Sequence, residues 1–317
     1  MPFLQRNKAV KRDLLTLADV TPEEIEQMLT LAMELKQRYK RGESTPLLSG
    51  KSLVLLFSKP SLRTRASFEV GMAQLGGHTS YFQDPEIVLG TREPLKDLGR
   101  VLSRYYDGIV IRTFAHASVE ELAQVSTIPV INGLTDMFHP CQILAALQTL
   151  HEHFGELQGR RLAYVGDGNN VAHSWLLGAA QMGFTLTIAC PRAYQPDMTV
   201  VRRALRIAET TGAVLDIVED PKQGVKGADV MYTDVWTSMG QEQEAAVRRE
   251  IFRPYQINAA LLAEAPSHAV VMHCLPAHRG EEITDEVLES DRSLAFEEAE
   301  NRLHAQKALL VFCMLGL

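Results

Sequence analysis

Short apolar segments alternate with longer amphipathic segments along most of the chain. The apolar segments are rich in branched aliphatic residues and lack strict polar alternation, which is typical of strands that are buried on both faces of a parallel sheet. The predicted strands are Ser52–Phe57, Gly108–Ile111, Pro129–Ile131, Arg161–Val165, Leu186–Ala189, Val214–Val218, Val230–Thr233 and Val270–His273.

The amphipathic segments predict helices. The first opens with Thr21-Pro22-Glu23-Glu24, which supplies a capping threonine, a proline in the first turn and two acids that favour the helix dipole. The alternation of strands and helices indicates an α/β protein with doubly wound sheets. The predicted helices are Thr21–Lys40, Leu62–Leu75, Lys96–Tyr105, Gln142–His153, Val171–Met182, Asp197–Thr211 and Ala295–Leu315.

A polar, glycine-containing link, Phe154–Gly159, follows a long predicted helix and precedes a new strand. A chain of 317 residues is long for one domain and sufficient for two. We therefore expect two α/β domains, residues 1–150 and 151–317. The last apolar helix, about residues 293–317, could pack on either domain.

Composition narrows the classes of function. The formal net charge of −7 argues against a nucleic-acid surface, which needs a clustered basic excess. No apolar segment approaches the roughly 20 residues that span a bilayer, and the basic start of the chain lacks the apolar core of a secretory signal. Four widely spaced cysteines without a C-x-x-C pair fit thiols in a reducing compartment. We expect a cytoplasmic protein with no metal, no membrane partner and no nucleic-acid partner.

Candidate chemistry falls at the carboxyl ends of the predicted strands. Directly after Ser52–Phe57, a helix begins with Ser61–Arg65, whose sequence is Ser-Leu-Arg-Thr-Arg. Ser61 is a good N-cap, and the helix N-terminus presents unpaired N–H groups. The two arginines oppose the helix dipole unless an anion binds there. This combination favours a phosphate site over an ordinary capped helix.

A second candidate segment begins the helix after Pro129–Ile131. His139 stands before Pro140, which disfavours the helical conformation at His139. With Gln142, it offers donors and acceptors for a carbonyl oxygen and an amide group. A simple helix cap is the alternative interpretation.

Two more candidate segments follow strands in the second half. Cys274 is a candidate for proton transfer or nucleophilic work, and a buried structural cysteine is the equal alternative. Asp234 could pair with an ammonium group, and Ser238 and the Gly240 backbone could present hydroxyl and N–H groups. These groups suit the amine end of an amino-acid substrate. A loop with a capping aspartate and serine would have the same sequence.

The segment Gly166–Asn170 begins like a dinucleotide-binding turn, but Val171 occupies the place of the third glycine. The segment therefore argues against a nicotinamide cofactor and a nicotinamide oxidoreductase. Its two asparagines are better suited to polar or carboxylate contacts at the start of a helix. We expect no cofactor.

Together, these motifs resemble the aspartate/ornithine carbamoyltransferases in order and spacing, over essentially the whole chain. Ser238-Met239-Gly240 and the sequence His-Cys-Leu-Pro at Cys274 point to the ornithine branch. The resemblance implies two doubly wound parallel-sheet domains with an active-site cleft between them, and a homotrimer or a multiple of it. It also implies transfer of the carbamoyl group of carbamoyl phosphate to the δ-amine of L-ornithine, which gives L-citrulline and phosphate in arginine biosynthesis.

The resemblance further implies the residues of each site. The catalytic residues would be Cys274, Arg112 and His139. The carbamoyl phosphate site would comprise Ser61, Leu62, Arg63, Thr64, Arg112, His139, Gln142, Cys274, Leu275 and Arg302. The ornithine site would comprise Asn170, Asp234, Ser238 and Met239. A cis peptide bond between Leu275 and Pro276 is also implied.

One departure from the family concerns a loop that reaches a neighbouring subunit's phosphate. Relatives usually carry a polar side chain before its Leu-Gly, where this chain has Val88. Gln83, Glu86 or Arg92 could take over that contact.

The terminal amine of ornithine must lose a proton before it attacks, because its ordinary pKa is near that of lysine, about 10.4. We hypothesise that Cys274, oriented by Asp234, accepts this proton. Arg112, His139 and Thr64 would then stabilise the oxyanion of the tetrahedral intermediate.

Two alternatives stay open at this point. A carbamoyltransferase for putrescine or acetylornithine is disfavoured by Ser238–Gly240, which serves an α-amino acid end. A non-catalytic binding protein on the same scaffold is disfavoured by the intact Arg63, Arg112, His139 and Cys274. The direction of the reaction in the cell, anabolic or catabolic, is left open by the sequence.

Overall fold

The computed structural model describes residues 11–84, 88–238 and 240–316. Strands and helices alternate along most of these residues. The strands are β1 (Ser52–Phe57), β2 (His78–Gln83), β3 (Gly108–Arg112), β4 (Val130–Leu134), β5 (Arg161–Val165), β6 (Thr185–Ala189), β7 (Val214–Val218), β8 (Val230–Thr233) and β9 (Val270–His273). The helices are α1 (Pro22–Lys40), α2 (Leu62–Gln74), α3 (Leu95–Tyr105), α4 (His116–Val125), α5 (Pro140–Phe154), α6 (Asn170–Met182), α7 (Met198–Thr211), α8 (Pro221–Val225), α9 (Ala245–Phe252), α10 (Ala259–Glu264), α11 (Asp285–Leu288) and α12 (Ala295–Leu315).

The first compact unit contains the described residues of Met1–Cys141 and of Arg302–Leu317. Its sheet has the strand order β2-β1-β3-β4, and all neighbouring strands are parallel. Apolar side chains of β1 and β3 pack with those of α3 and α4 in a buried cluster. The order reverses direction between β1 and β3, since β1 is followed by β2 on one side and by β3 on the other. Ligands of open α/β sheets bind at such a reversal, outside the carboxyl ends of the strands.

The second compact unit is Gln142–Asn301, described apart from Met239. Its sheet has the order β7-β6-β5-β8-β9, again with parallel neighbours. The reversal lies at β5, which is flanked by β6 and β8. The segments that follow β5, β8 and β9 therefore lie along one edge of this sheet, where a ligand crevice is expected.

All eight predicted strands are confirmed, with ends that shift by a few residues. The prediction missed β2, whose sequence His-Thr-Ser-Tyr-Phe-Gln is mostly polar because it forms an edge of the first sheet. The prediction that the strands are buried on both faces is wrong for β7. This strand is partly exposed because it forms an edge of the second sheet. Of the helices, α4 and α8–α11 were not predicted.

Both boundaries between the two units fall inside helices. Helix α5 has residues on both sides of Cys141 and Gln142, and α12 has residues on both sides of Asn301 and Arg302. The sequence placed the division near residue 150, and that domain boundary stays a prediction. The residues of α12 from Arg302 onward group with the first unit. None of the helices within the described ranges is long and apolar enough to cross a membrane.

Candidate functional site

The first group of candidate residues lies where α2 begins, in the first unit. Ser61 caps this helix, since its Oγ accepts a hydrogen bond from the Thr64 N–H at 3.3 Å. The side chain of Leu62 points to solvent, with 81% of the residue exposed, so a contact from Leu62 to an anion would come from its backbone N–H. A capped helix start with Arg63 in its first turn has the features of an anion site.

Thr64 connects this turn to the last helix. Its buried Oγ1 accepts a hydrogen bond from Nη2 of Arg302 at 3.2 Å. The Ser61 Oγ donates to the same Thr64 oxygen at 3.1 Å. Arg302 was predicted from a region far along the chain, and it is buried at the predicted phosphate turn.

Arg112 and His139 lie at the carboxyl ends of neighbouring strands. Arg112 ends β3 and pairs in register with Phe57, which ends β1. His139 follows β4 and directly precedes α5, as predicted. Burial lowers the pKa of His139 well below its ordinary value, and the positive charges of Arg302, Arg112 and Arg63 lower it further. The imidazole is therefore neutral at neutral pH, with one nitrogen able to donate and the other able to accept.

Three guanidinium groups, those of Arg302, Arg112 and Arg63, lie close enough to the buried His139 to lower its pKa. Such a concentration of positive charge suits a dianionic oxygen ligand, because guanidinium groups bind phosphate and carboxylate oxygens in bidentate fashion. A neutral imidazole in the same place can donate to a carbonyl oxygen. The first unit thus brings together most of the residues predicted for carbamoyl phosphate.

Gln142 lies in the second unit, although it follows His139 closely in sequence. Its Nε2 donates to Oε1 of the buried Glu298 at 2.6 Å, and the hydroxyl of Tyr232 donates to the same oxygen at 2.7 Å. Burial, followed by the negative charge of Glu298, raises the pKa of Tyr232 well above its ordinary value, so the phenol keeps its proton. The predicted role of Gln142 at the carbamoyl end stays a prediction, and Glu298 and Tyr232 were not predicted.

In the second unit, Asp234 is the centre of a hydrogen-bond network. Asp234 follows β8 and Cys274 follows the parallel neighbour β9, so the sheet brings the two residues together. Oδ1 of Asp234 accepts from Cys274 Sγ at 2.8 Å and from the Val235 N–H at 2.8 Å. Oδ2 accepts from Nδ2 of Asn169 at 2.7 Å. Both carboxylate oxygens are therefore oriented by protein donors.

Asn169 connects this network to a helix start. Its Oδ1 accepts from two backbone N–H groups in the first turn of α6 and from the Tyr164 hydroxyl at 3.1 Å. The resemblance assigned the next residue, Asn170, to ornithine. The structure assigns the contact with Asp234 to Asn169, which sequence reasoning treated only as one of two polar residues at the helix start. The role of Asn170 stays a prediction.

The residue before Cys274 is locked from two sides. His273 is fully buried, and its Nδ1 accepts from the Leu275 N–H at 2.8 Å. Nε2 therefore carries the proton and donates to Oε1 of the buried Glu282 at 3.0 Å. Leu275 has a φ of +53°, which residues other than glycine rarely adopt. Its bond to Pro276 is cis, as the resemblance implied.

Glu282 thus holds His273, and His273 holds the backbone directly after Cys274. The carboxylate Oε1 of Glu282 also accepts from the His278 N–H at 2.6 Å. Sequence reasoning missed Glu282 because it lies in a loop with other acids. The signal would have been its place shortly after a buried histidine at a strand end.

The loop after β8 carries the predicted Ser238. Its backbone N–H donates to Oε1 of Gln241 at 3.1 Å, and its side chain is half-buried. The predicted Met239 lies outside the described residues. Gly240 has a φ of +97°, so the loop turns where only glycine fits easily.

Arg248, in α9, anchors this loop from behind. Its Nε donates to the carbonyl of Trp236 at 2.6 Å, and its guanidinium group forms a buried ion pair with Asp167. The guanidinium carbon lies 4.6 Å from the ring centroid of Tyr194 and 5.3 Å from that of Phe252. Burial raises the pKa of Asp167 to about 7, against the opposing effect of Arg248.

One group of possible metal ligands occurs among the described residues. Ligand atoms of His278, Glu281 and Glu282 lie within 4.8 Å of one another. Protein groups already use both carboxylates, since Glu282 binds His273 and Oε1 of Glu281 accepts from Arg249 at 2.8 Å. We assign no metal to this group.

The loop that bears Val88 is described in part. Val88 is exposed, whereas Glu86 lies outside the described residues. Oε1 of Gln83 accepts from the Tyr81 hydroxyl at 2.7 Å. Arg92 is exposed and borders a small pocket with Val88. A replacement for the family's polar contact stays a prediction.

Comparison with known families matches almost the whole chain. Residues 12–152 match the carbamoyl-P binding domain of aspartate/ornithine carbamoyltransferase. Residues 158–313 match the Asp/Orn binding domain of aspartate/ornithine carbamoyltransferase.

Full-length relatives are similar at the level of sequence and structure. An ornithine carbamoyltransferase of Anoxybacillus flavithermus is 54% identical over 300 residues, which are 95% of this chain and 96% of that protein. The solved ornithine carbamoyltransferase of Pyrococcus furiosus is 49% identical, with a TM-score of 0.94 over 97% of this chain and 98% of the other. That of Gloeobacter violaceus is 51% identical, with a TM-score of 0.85 over 96% and 99%.

Proposed function

Since the chain belongs to the aspartate/ornithine carbamoyltransferase family, we propose that it transfers the carbamoyl group of carbamoyl phosphate to the δ-amine of L-ornithine. The products are L-citrulline and phosphate, a step of arginine biosynthesis. The observation that supports an amine as the acceptor of the carbamoyl group is the contact of Cys274 Sγ with Asp234 at 2.8 Å. This contact supports a proton-transfer pair at the sheet edge where the amino acid is expected.

The phosphate group of carbamoyl phosphate binds at the start of α2. Ser61, Leu62, Arg63 and Thr64 supply backbone N–H groups, hydroxyl groups and a guanidinium group for it. The positive helix end and the buried Arg302 beside Thr64 support this assignment.

The carbamoyl group is held at its oxygen by Arg112 and His139, and Gln142, Cys274 and Leu275 complete its site. The neutral state of His139 supports its role as a donor to an oxygen rather than as a charged base. As the tetrahedral intermediate forms, the oxygen gains negative charge. Donors that are already oriented stabilise that charge with little reorganisation.

Ornithine is held by Asn170, Asp234, Ser238 and Met239. Asp234 is the only carboxylate among these four, and its contact with the proposed proton acceptor Cys274 supports assigning the δ-ammonium end to it. Ser238 serves the α-amino acid end.

The proton of the ornithine ammonium group leaves through Cys274. Because the thiol donates to Asp234, Sγ can accept a proton from the amine as its own proton moves to the Asp234 carboxylate. The amine nitrogen then forms a bond to the carbamoyl carbon, and the carbon–oxygen bond to phosphate breaks. A second proton leaves the nitrogen during this step, and the departing phosphate takes it.

We further propose that the protein is cytoplasmic and assembles as a homotrimer or a multiple of it. The cytoplasmic location is supported by four cysteines that are thiols rather than disulfides. The homotrimer rests on the family resemblance. Light scattering coupled to size-exclusion chromatography tests it, since a monomer at working concentration would contradict it.

The reaction is tested by incubating the protein with carbamoyl phosphate and one amine at a time. The amines are ornithine, putrescine, acetylornithine and aspartate, and the readouts are phosphate and the ureido product. We expect product with ornithine alone. Product with another amine and none with ornithine would overturn the substrate assignment, and no product with any amine would overturn the reaction.

A further inference from the structure

Two cationic side chains of α12 contact α2 at its opposite ends. Nη2 of Arg302 donates to Thr64 in the first turn of α2, at 3.2 Å. Nζ of Lys307 donates to Oε1 of Gln74, the last residue of α2, at 3.0 Å. A Cβ atom placed on Gly71 would lie 3.3 Å from Cγ of Lys307. The glycine therefore lets the lysine side chain lie directly against the helix.

Lys307 is an unusual residue to find in this position. It is 1% exposed, and its Nζ lies 5.3 Å from the ring centroid of Tyr39. Within the part of the chain that the structure describes, its ammonium group forms no ion pair and has a neutral amide as its hydrogen-bond acceptor. Burial lowers the pKa of Lys307 to about 8. A buried ammonium group without a carboxylate disfavours the folded state, so stability does not explain this lysine.

The contact between Lys307 and Gln74 is electrostatically favourable, because it places a cation at the C-terminal end of α2. The negative end of a helix dipole favours a cation, and the last turn of α2 contains no basic residue of its own. The opposite end of the same helix is the turn that binds phosphate. Lys307 and Arg302 both contact α2, and Arg302 precedes Lys307 on α12 by little more than one turn.

We propose that Lys307, together with Gln74, is a positioning residue for the carbamoyl phosphate site, which sets α12 against α2 so that Arg302 meets Thr64. This inference rests on the proposed function of the Ser61–Thr64 turn. The fold retains a destabilising buried cation because the cation orders that turn.

The test uses the full-length variants Lys307→Met and Gln74→Leu, which keep the length and apolar contacts of the side chains. We expect the KM for carbamoyl phosphate to rise about fivefold or more in each, the scale of one lost hydrogen bond. The kcat at saturation and the KM for ornithine should stay within about twofold. The melting temperature of Lys307→Met should equal or exceed that of the parent protein, because an uncompensated buried charge is removed.

Cys313→Ala is the matched control, since Cys313 is buried in the same helix but lies beyond the contact with Gln74. An unchanged KM for carbamoyl phosphate in folded Lys307→Met and Gln74→Leu would overturn the proposal. It would also fail if the KM rose only in step with a lower melting temperature and rose equally in Cys313→Ala.

Titration calorimetry with inorganic phosphate keeps this test separate from the proposed reaction. If the parent protein turns over no amine, the proposed function fails, while weaker phosphate binding by Lys307→Met would still support the positioning role. If Lys307→Met does not fold, Gln74→Leu decides the question, because it keeps the lysine and removes its acceptor.

Discussion

The phosphate region of the first unit and the amine region of the second unit are built in different ways. The phosphate region combines a helix N-terminus with the guanidinium groups of Arg63, Arg112 and Arg302, whose charges act together on His139. The amine region has one carboxylate, Asp234, that is oriented by three protein donors. One region works through concentrated charge, and the other works through the orientation of a proton-transfer pair.

The difference teaches where each kind of substitution should act. Several arginines share the binding of phosphate, so the loss of one of them should weaken phosphate binding without abolishing catalysis. Proton transfer depends on one pair of groups, so the loss of either member should lower kcat strongly while phosphate still binds. Opposite splits between KM and kcat in the two regions would support this division, and the same split in both would break it.

The largest effect is expected for Cys274→Ala. The variant removes the group that accepts the ornithine proton, so kcat should fall by about 10²- to 10⁴-fold, the usual contribution of a positioned acid–base group. The KM for carbamoyl phosphate should change by less than about threefold. Steady-state kinetics with each substrate varied in turn measures both constants. Cys190→Ala, which removes a buried thiol elsewhere in the second unit, should leave kcat unchanged. Full turnover by Cys274→Ala would eliminate the thiol as the proton acceptor.

A smaller effect is expected for Arg63→Met, with Arg65→Met as its control. Loss of a charge-assisted contact to phosphate should lower kcat/KM for carbamoyl phosphate by about 10- to 100-fold, mainly through KM. Arg65 belongs to the same motif, but its Nε pairs with Glu69 at 3.1 Å and its guanidinium group stacks on Tyr81. Its replacement should therefore change kcat/KM by less than about threefold. Equal losses in both variants would mean that the motif acts as a whole rather than through Arg63.

The two regions also differ in how far the sequence predicts them. The turn at Ser61–Arg65 is contiguous, follows an apolar strand and begins a helix, so local rules were sufficient to predict its chemistry. Asp234 and Cys274 were predicted because each follows a strand, and the parallel pairing of β8 with β9 is what joins them. The choice between Asn169 and Asn170 could not be made, since it depends on which side chain caps α6.

Residues that act by holding other residues in place could not be predicted from the sequence. Glu282 acquires its role only because a loop folds back onto His273. Arg248 reaches Asp167 across a long stretch of chain, and both belong to segments with ordinary compositions. Strand β2 was missed for a related reason, because an edge strand needs few apolar residues. Such features are set by tertiary packing rather than by local pattern.

A still smaller effect on activity is expected for Glu282→Gln. The amide can still accept from His273 but loses the charge that favours this contact, so the backbone after Cys274 should be held less firmly. We expect kcat to fall about tenfold, the scale of one weakened buried hydrogen bond to a charged group. The KM for carbamoyl phosphate should stay unchanged. Glu281→Gln, which changes the less buried neighbour, should retain the parent kcat. A change in KM alone would place Glu282 with the phosphate region and contradict its proposed role.

The smallest effect concerns the share of the pH dependence of stability that Asp167, in the second unit, contributes. Burial raises the pKa of Asp167 to about 7, whereas an unfolded aspartate titrates near 4. A carboxyl group with a raised pKa in the folded state stabilises the protein at low pH, and that contribution is lost as the pH rises from about 4 through about 7. The melting temperature of the parent protein, minus that of Asp167→Asn, should therefore fall by a few degrees between about pH 5 and pH 8. The exposed Asp216 provides the control, and Asp216→Asn should show no such slope. A flat difference for Asp167→Asn would mean that Arg248 keeps Asp167 ionised throughout this range, so that the loop anchor is a permanent ion pair rather than a titrating one.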